Sequence, residues 1–253
     1  MIMTFFKKEI SEIVKTHKIY VLPALFLFFG FLSPLTAKFM PQIMEAAAKS
    51  SGMVIKYTQD PTFLDSYAQL FKNISQLAFI IILIFVGAIV GEKVKGTAAL
   101  ILTKPVSRTK FIISKFTAAI ALYTFAYILS VIACVYYTFL LFPEYYNDKL
   151  VLSLLMLWGF SAFMISATIF ISTISKSFTT AAGLGIGAYL LFLASTAVPY
   201  VSKYTPGNIG NIGLSILQGT TPIEDATAPI ITAIILAVMF IFGSIAVFKR
   251  QEI

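Results

Sequence analysis

The chain has 253 residues, 58% of them hydrophobic and only 12% charged, with a mean hydropathy of +0.90 and a formal net charge of +8. A soluble domain is nearer half apolar and a quarter charged, so composition excludes a water-soluble globule and a disordered chain. One cysteine, Cys134, allows no internal disulfide, and one histidine, His17, leaves almost nothing for zinc or His-based catalysis.

In chain order, Met1 to Lys18 places Ile2, Phe5, Phe6, Ile10, Ile13 and Val14 at spacings of three and four, the stripe of one helical face. Lys7, Lys8, Glu12, Lys15 and Lys18 fill much of the remainder. This predicts an amphipathic helix in the inner membrane interface; the alternative is a basic tail that only sets topology. Six apolar stretches then follow, at 19–37, 73–91, 116–142, 150–175, 177–202 and 228–248, each free of Asp, Glu, Lys, Arg and His. A membrane helix needs about 20 mostly apolar residues, so these read as six spans. The first does not read as a signal peptide, because patterned chain precedes it and no small-residue cleavage site follows. With the N-terminus inside, 13 of the 19 basic residues fall on the cytoplasmic side, which puts both termini in the cytoplasm. The net positive charge is thereby assigned to loops beside a membrane, not to nucleic acid.

Between the spans, Met40-Pro41 is expected to end the first helix region and Asp60-Pro61 to cap the second. From Pro61 to Gly91 no proline intervenes, a length of roughly 46 Å at 1.5 Å per residue, so the second helix should tilt or stand above the outer surface. Pro23 and Pro34 should bend the first span. In the fifth span Gly183 and Gly187 are four apart, spacing suited to close helix approach, either within the chain or at a subunit interface. The outer segment 203–227, with its GNIGNIG run, is too apolar for an ordinary loop; it reads as an interfacial or re-entrant element if protein covers its backbone.

The most informative segment is 92–113, between spans two and three: Glu92, Gly96-Thr97, Leu100 with Leu102, Pro105 and Ser107-Arg108. Gly96 permits a turn, Thr97 caps a short helix over Ala98 to Thr103, Pro105 helps to end it, and Ser107 caps the helix that becomes span three. The result is a short apolar helix under the membrane that needs a groove to fill, in this chain or in a partner. Glu92, Lys104 and Arg108 are expected to pin that dock through charge pairs.

These residues, with the six spans and the leader helix, resemble the permease subunit of type-2 ABC transporters. The resemblance implies an all-α polytopic membrane protein forming a single permease domain. The 92–113 segment then carries a coupling helix seated in a cleft of a separate cytosolic ATPase. It implies two ATPase subunits, which bind the ATP and magnesium, and a second permease subunit, identical or homologous. The substrate path runs between the permeases, lined by the first, second and fifth spans. Export of a hydrophobic or amphipathic molecule (peptide, antibiotic or lipid-like) across a prokaryotic plasma membrane follows, with a permease-like subunit in signalling, immunity or assembly as the alternative. The chain itself has no G-x-x-x-x-G-K-[ST] for ATP and no charge within the six apolar stretches to mark ion-coupled transport. A membrane enzyme is disfavoured: there is no HExxH, and Ser130, Ser153, Ser161, Ser166 and Ser195 have no His or Lys base at span depth.

Overall fold

The computed structural model describes residues 2–50, 60–97 and 107–251. Helix accounts for 86% of it, and no strand occurs among the described residues. The helices are α1 (Ile2–Lys15), α2 (Lys18–Ser50), α3 (Phe63–Phe85), α4 (Gly87–Val94), α5 (Arg108–Leu141), α6 (Leu150–Ile174), α7 (Phe178–Ser195), α8 (Pro199–Ser202), α9 (Ile209–Leu217) and α10 (Thr227–Arg250). Six helical stretches are long and apolar enough to cross a membrane: Lys18–Lys49, Phe63–Val94, Arg108–Leu141, Leu150–Ile174, Phe178–Ser195 and Ile223–Arg250. They alternate in direction. The basal end carries α1, the start of α2, the end of α4, the start of α5 and the end of α10; the distal end carries α8, α9 and the α5–α6 turn.

Helix boundaries follow local chemistry. A turn at His17 (φ 61°) separates α1 from α2. The second span begins at Thr62, not at Asp60-Pro61, because Thr62 and Asp65 form a reciprocal cap: the Thr62 backbone N–H donates to Asp65 Oδ2 at 2.8 Å. The expected end of the first helix at Met40-Pro41 is also corrected: α2 runs through Pro23, Pro34 and Pro41 to Ser50. The second span is not a single uninterrupted helix. It breaks at Val86, and Ser172 Oγ of α6 accepts the N–H groups of Ile89 and Val90, both at 3.0 Å. Donors freed by a break inside a membrane need such a partner. The fifth span stops at Ser195, short of 202, and Pro199 restarts the chain as α8.

In lipid, an apolar side chain gains little by moving from acyl chains to another helix, so close packing and interhelical hydrogen bonds hold the bundle. The principal pairings are α2 with α5, α3 with α2, and α6 with α10 and α9. Fully buried Phe26, Tyr67, Phe111, Tyr123 and Phe248 fill the centre. Ser66 Oγ and Thr138 Oγ1 lie 2.6 Å apart, Asn73 Nδ2 donates to Ser33 Oγ at 2.9 Å, and the Tyr127 hydroxyl donates to the Leu154 carbonyl at 2.7 Å. At the distal end α9 is buried against α3 and α6, with Gly213 seated beside Met156 and the Ser153 carbonyl.

Gly30 marks the tightest approach of α2 to α5: a Cβ there would collide with the backbone of Ser130. Gly30→Ala should therefore lower stability by about 1–3 kcal/mol, the usual cost of overpacking. A Cβ on Gly183 meets nothing within 4 Å, so Gly183→Ala should leave the melting temperature in detergent unchanged. Equal melting of the two variants contradicts this account of the α2–α5 contact.

Candidate functional site

The basal end gathers charge around the two stems of the 92–113 segment. On α5, Lys115 is 3% exposed, although it lies among residues that look like a solvated loop in sequence. Its ammonium donates to Glu92 Oε1 of α4 at 2.7 Å and to Glu9 Oε2 of α1 at 3.0 Å. Glu9 and Glu92 are themselves buried. Lys8 joins from α1, donating to Glu92 Oε1 at 2.8 Å and to Glu9 Oε1 at 3.3 Å, with Glu12 Oε2 at 3.7 Å. One ion network thus ties the leader helix to the end of span two and the start of span three. Charge removed from water to this degree persists only when paired and hydrogen-bonded.

A second set of ties reaches the remaining basal helix ends. Arg108 Nη1 donates to the carbonyls of Phe248, Lys249 and Gln251, at 2.9, 2.9 and 2.8 Å. Those are the last carbonyls of α10, which lack helical partners and favour a cation. The Phe111 and Phe248 rings stack beside them, centroids 5.1 Å apart. Lys93 Nζ donates to the Thr173 carbonyl of α6 at 2.7 Å and to Gln251 Oε1 at 3.2 Å, and Gln251 Nε2 donates to the same Thr173 carbonyl at 3.0 Å.

The predicted site residues fall into three groups. Gly96 adopts φ +68°, the left-handed backbone that favours glycine, at the turn leaving α4. The Thr97 hydroxyl donates back to the Glu92 carbonyl at 3.2 Å, and Ser107 caps α5 by accepting the Lys110 N–H at 3.3 Å. Leu100, Leu102 and Pro105, with the expected short helix and Lys104, lie outside the described residues. Glu92 and Arg108 direct their charge inward, to Lys115 and Lys8 and to the end of α10, rather than outward toward a docking partner. A Cβ on Gly183 or Gly187 would meet nothing within 4 Å, whereas one on Gly185, between them, would press on Ile82 of α3.

Sequence reasoning missed Glu9 and Lys115. Their signal was positional: Phe5, Glu9 and Ile13 share one stripe of α1, and Phe111, Lys115 and Leu122 one stripe of α5, so each charge interrupts an apolar face. The Glu9, Glu12 and Glu92 carboxylates lie within 4.8 Å of one another, but Lys8 and Lys115 already compensate them, and a metal ion would have to displace an ammonium. No nucleophile–base pair accompanies the cluster among the described residues. Its chemistry is mechanical attachment.

A family model described as "ABC-2 family transporter protein" matches residues 3–253. The chain belongs to the ABC-2 transporter family. It is also similar to the uncharacterized transmembrane protein YxlG of Bacillus subtilis, 26% identical over 212 residues that cover 83% of this chain and 82% of the relative. Membership makes the protein a membrane component of a transporter. The ATPase motif is not in such a subunit, and association with an ABC ATPase is a property of the family.

Partial burial works against the charge on Lys8, but its hydrogen bond to Glu92 and the nearby Glu9 and Glu12 carboxylates outweigh that and hold its pKa above the ordinary lysine value. A raised pKa means that its contribution to α1 attachment is complete at neutral pH and is lost only as pH climbs through the elevated folded-state value. Protease protection of α1 should accordingly hold from neutral into mildly alkaline buffer. Removing the buried cation is a harsher change: Lys115→Met should cost about 3–5 kcal/mol, because Glu9 and Glu92 lose the buried cation between them and keep only the partly exposed Lys8. Combining it with Glu9→Gln and Glu92→Gln should recover much of that loss. Detergent melting curves read both, and a triple variant no better than the single one contradicts the network.

Proposed function

We propose that this ABC-2 permease exports a hydrophobic or amphipathic molecule from a prokaryotic cell, driven by cytosolic ATPase subunits that seat the 97–103 segment as a coupling helix. Both termini then face the cytoplasm, so the basal end is the cytoplasmic one. Two ATPases and a second permease complete the working unit, which holds ATP and magnesium in the ATPases alone. The permeases face each other through the first and fifth spans. On α2 the exposed apolar residues Tyr20, Phe28 and Phe31 suit this arrangement, as do Leu190 and Leu193 on α7.

The observation that carries the reading is the Glu92–Lys115 pair. It bridges the two stems of the coupling segment and binds both to α1. A force on a loop with independent stems would dissipate in loop motion. Stems locked by a buried ion pair move as one body, and α3 and α5 carry that movement into the membrane. Arg108 extends the same body to the end of α10.

Two variants test it. Leu100→Asp places a charge on the face that fills the ATPase cleft and should abolish co-purification of the ATPase while leaving membrane insertion intact. Gly96→Pro demands φ near −65° where the chain has +68°. It should uncouple ATP hydrolysis from efflux, so that hydrolysis persists and transport in vesicles falls at least tenfold. Retained ATPase binding by the first, or normal efflux by the second, contradicts the proposal.

A further inference from the structure

Two adjoining cavities on the flank between α7 and α10 have no part in the coupling site. The larger, of about 740 Å³, is an apolar groove bounded by α6, α7 and α10, with Ile174, Gly183, Gly187, Leu191, Leu236 and Phe240 among its walls. The smaller, of about 390 Å³, is a polar basin at the distal end, where Lys203, Glu224 and Asp225 converge with Ser202 and Asn208. Tyr204 lines both, so the basin opens beside the end of the groove. Lys203, Glu224 and Asp225 are all exposed, and none finds an ion-pair partner among the described residues.

We propose that this paired cavity is a binding site for a zwitterionic phospholipid of the distal leaflet: its phosphate on Lys203, its ammonium on Glu224 and Asp225, and an acyl chain in the Gly183–Gly187 groove. Three observations select this occupant. The groove runs from Ile174 at the basal end of α6, along α7 from Gly183 to Ser195 (roughly 18 Å at 1.5 Å per residue), to Tyr204 beside the basin, long enough for an extended acyl chain. The basin sits at headgroup level, marked by exposed Tyr200 and Tyr204, residues that favour the membrane–water boundary. The basin also offers both signs of charge. One lysine and two carboxylates leave a net negative basin that disfavours a headgroup of net negative charge; a ligand carrying both an ammonium and a phosphate pairs with all three. The absent side chains of Gly183 and Gly187 leave room where a Cβ would meet nothing within 4 Å. Leu190 and Leu193, which pair permeases in the proposed function, lie on the neighbouring strip of α7 and do not line the groove. The site depends on residence in a membrane and not on the transport reading.

The test reconstitutes the full-length chain into vesicles of phosphatidylethanolamine and phosphatidylglycerol, extracts it gently and counts retained lipid by native mass spectrometry. Phosphatidylethanolamine should be enriched over its bulk share, at one tightly held molecule per chain. Glu224→Gln with Asp225→Asn should reduce that retention about three- to fivefold, the scale of exposed charge pairs. Gly187→Leu should reduce it by filling the groove, with melting temperature and, in the ATPase complex, basal hydrolysis unchanged. The proposal is overturned by retention of phosphatidylglycerol in preference, by no retained lipid, or by retention indifferent to these substitutions. Loss of self-association in Gly187→Leu with lipid retention unaltered also overturns it, by making the groove a surface for a second copy. Because no nucleotide or cargo enters the assay, its failure leaves the transport reading standing.

Discussion

The basal end turns on one buried ion network, in which the Lys115 ammonium is placed where almost no water reaches it. A cation so placed requires carboxylates at hydrogen-bonding distance, and they arrive from two different helices, Glu9 from α1 and Glu92 from α4. The pairing therefore does more than neutralise a charge. It specifies where the leader helix docks, how far span two extends and how span three enters the bundle.

From that constraint follows a division within the bundle. The α1, α4 and α5 ends are bound by ions, and Arg108 and Lys93 add the basal ends of α10 and α6 through carbonyl contacts. By contrast α7 and α10 bury few residues along their spans, and an open apolar groove lies between them. The helix ends that flank residues 98–106 are thus the stiff part, while α7 is lightly held.

Much of this architecture is legible in sequence because the membrane leaves few options. Long uncharged runs must be helices, so the six spans are readable, and so are the Ser107 cap and the Gly96 turn, which each rest on one residue's local chemistry. Two errors were local: α2 ran on through Pro41, and Thr62 with Asp65 outcompeted Asp60 as a cap. A third was tertiary: Ser172 stabilised a break in span two that carries no proline. The ion network was hidden for a different reason. A charge count treats Lys115 as one more cation beside the membrane, and only its stripe position, shared with Phe111 and Leu122, sets it inside. The partners of such a residue lie 23 and 106 positions away, beyond the reach of any local pattern.

The most direct measurement of the central claim is a pair of spin-label distances in the ATPase-bound complex, with and without trapped ATP. Labels at Ser11 on α1 and Lys110 on α5 report the ion-tied unit; labels at Lys110 and Lys176, beside α7, report its motion against the rest of the bundle. The account predicts an unchanged Ser11–Lys110 distance and a shifted Lys110–Lys176 distance when ATP is trapped. A Ser11–Lys110 distance that changes as much as the other would show α1 moving independently of the coupling stems and would contradict the account.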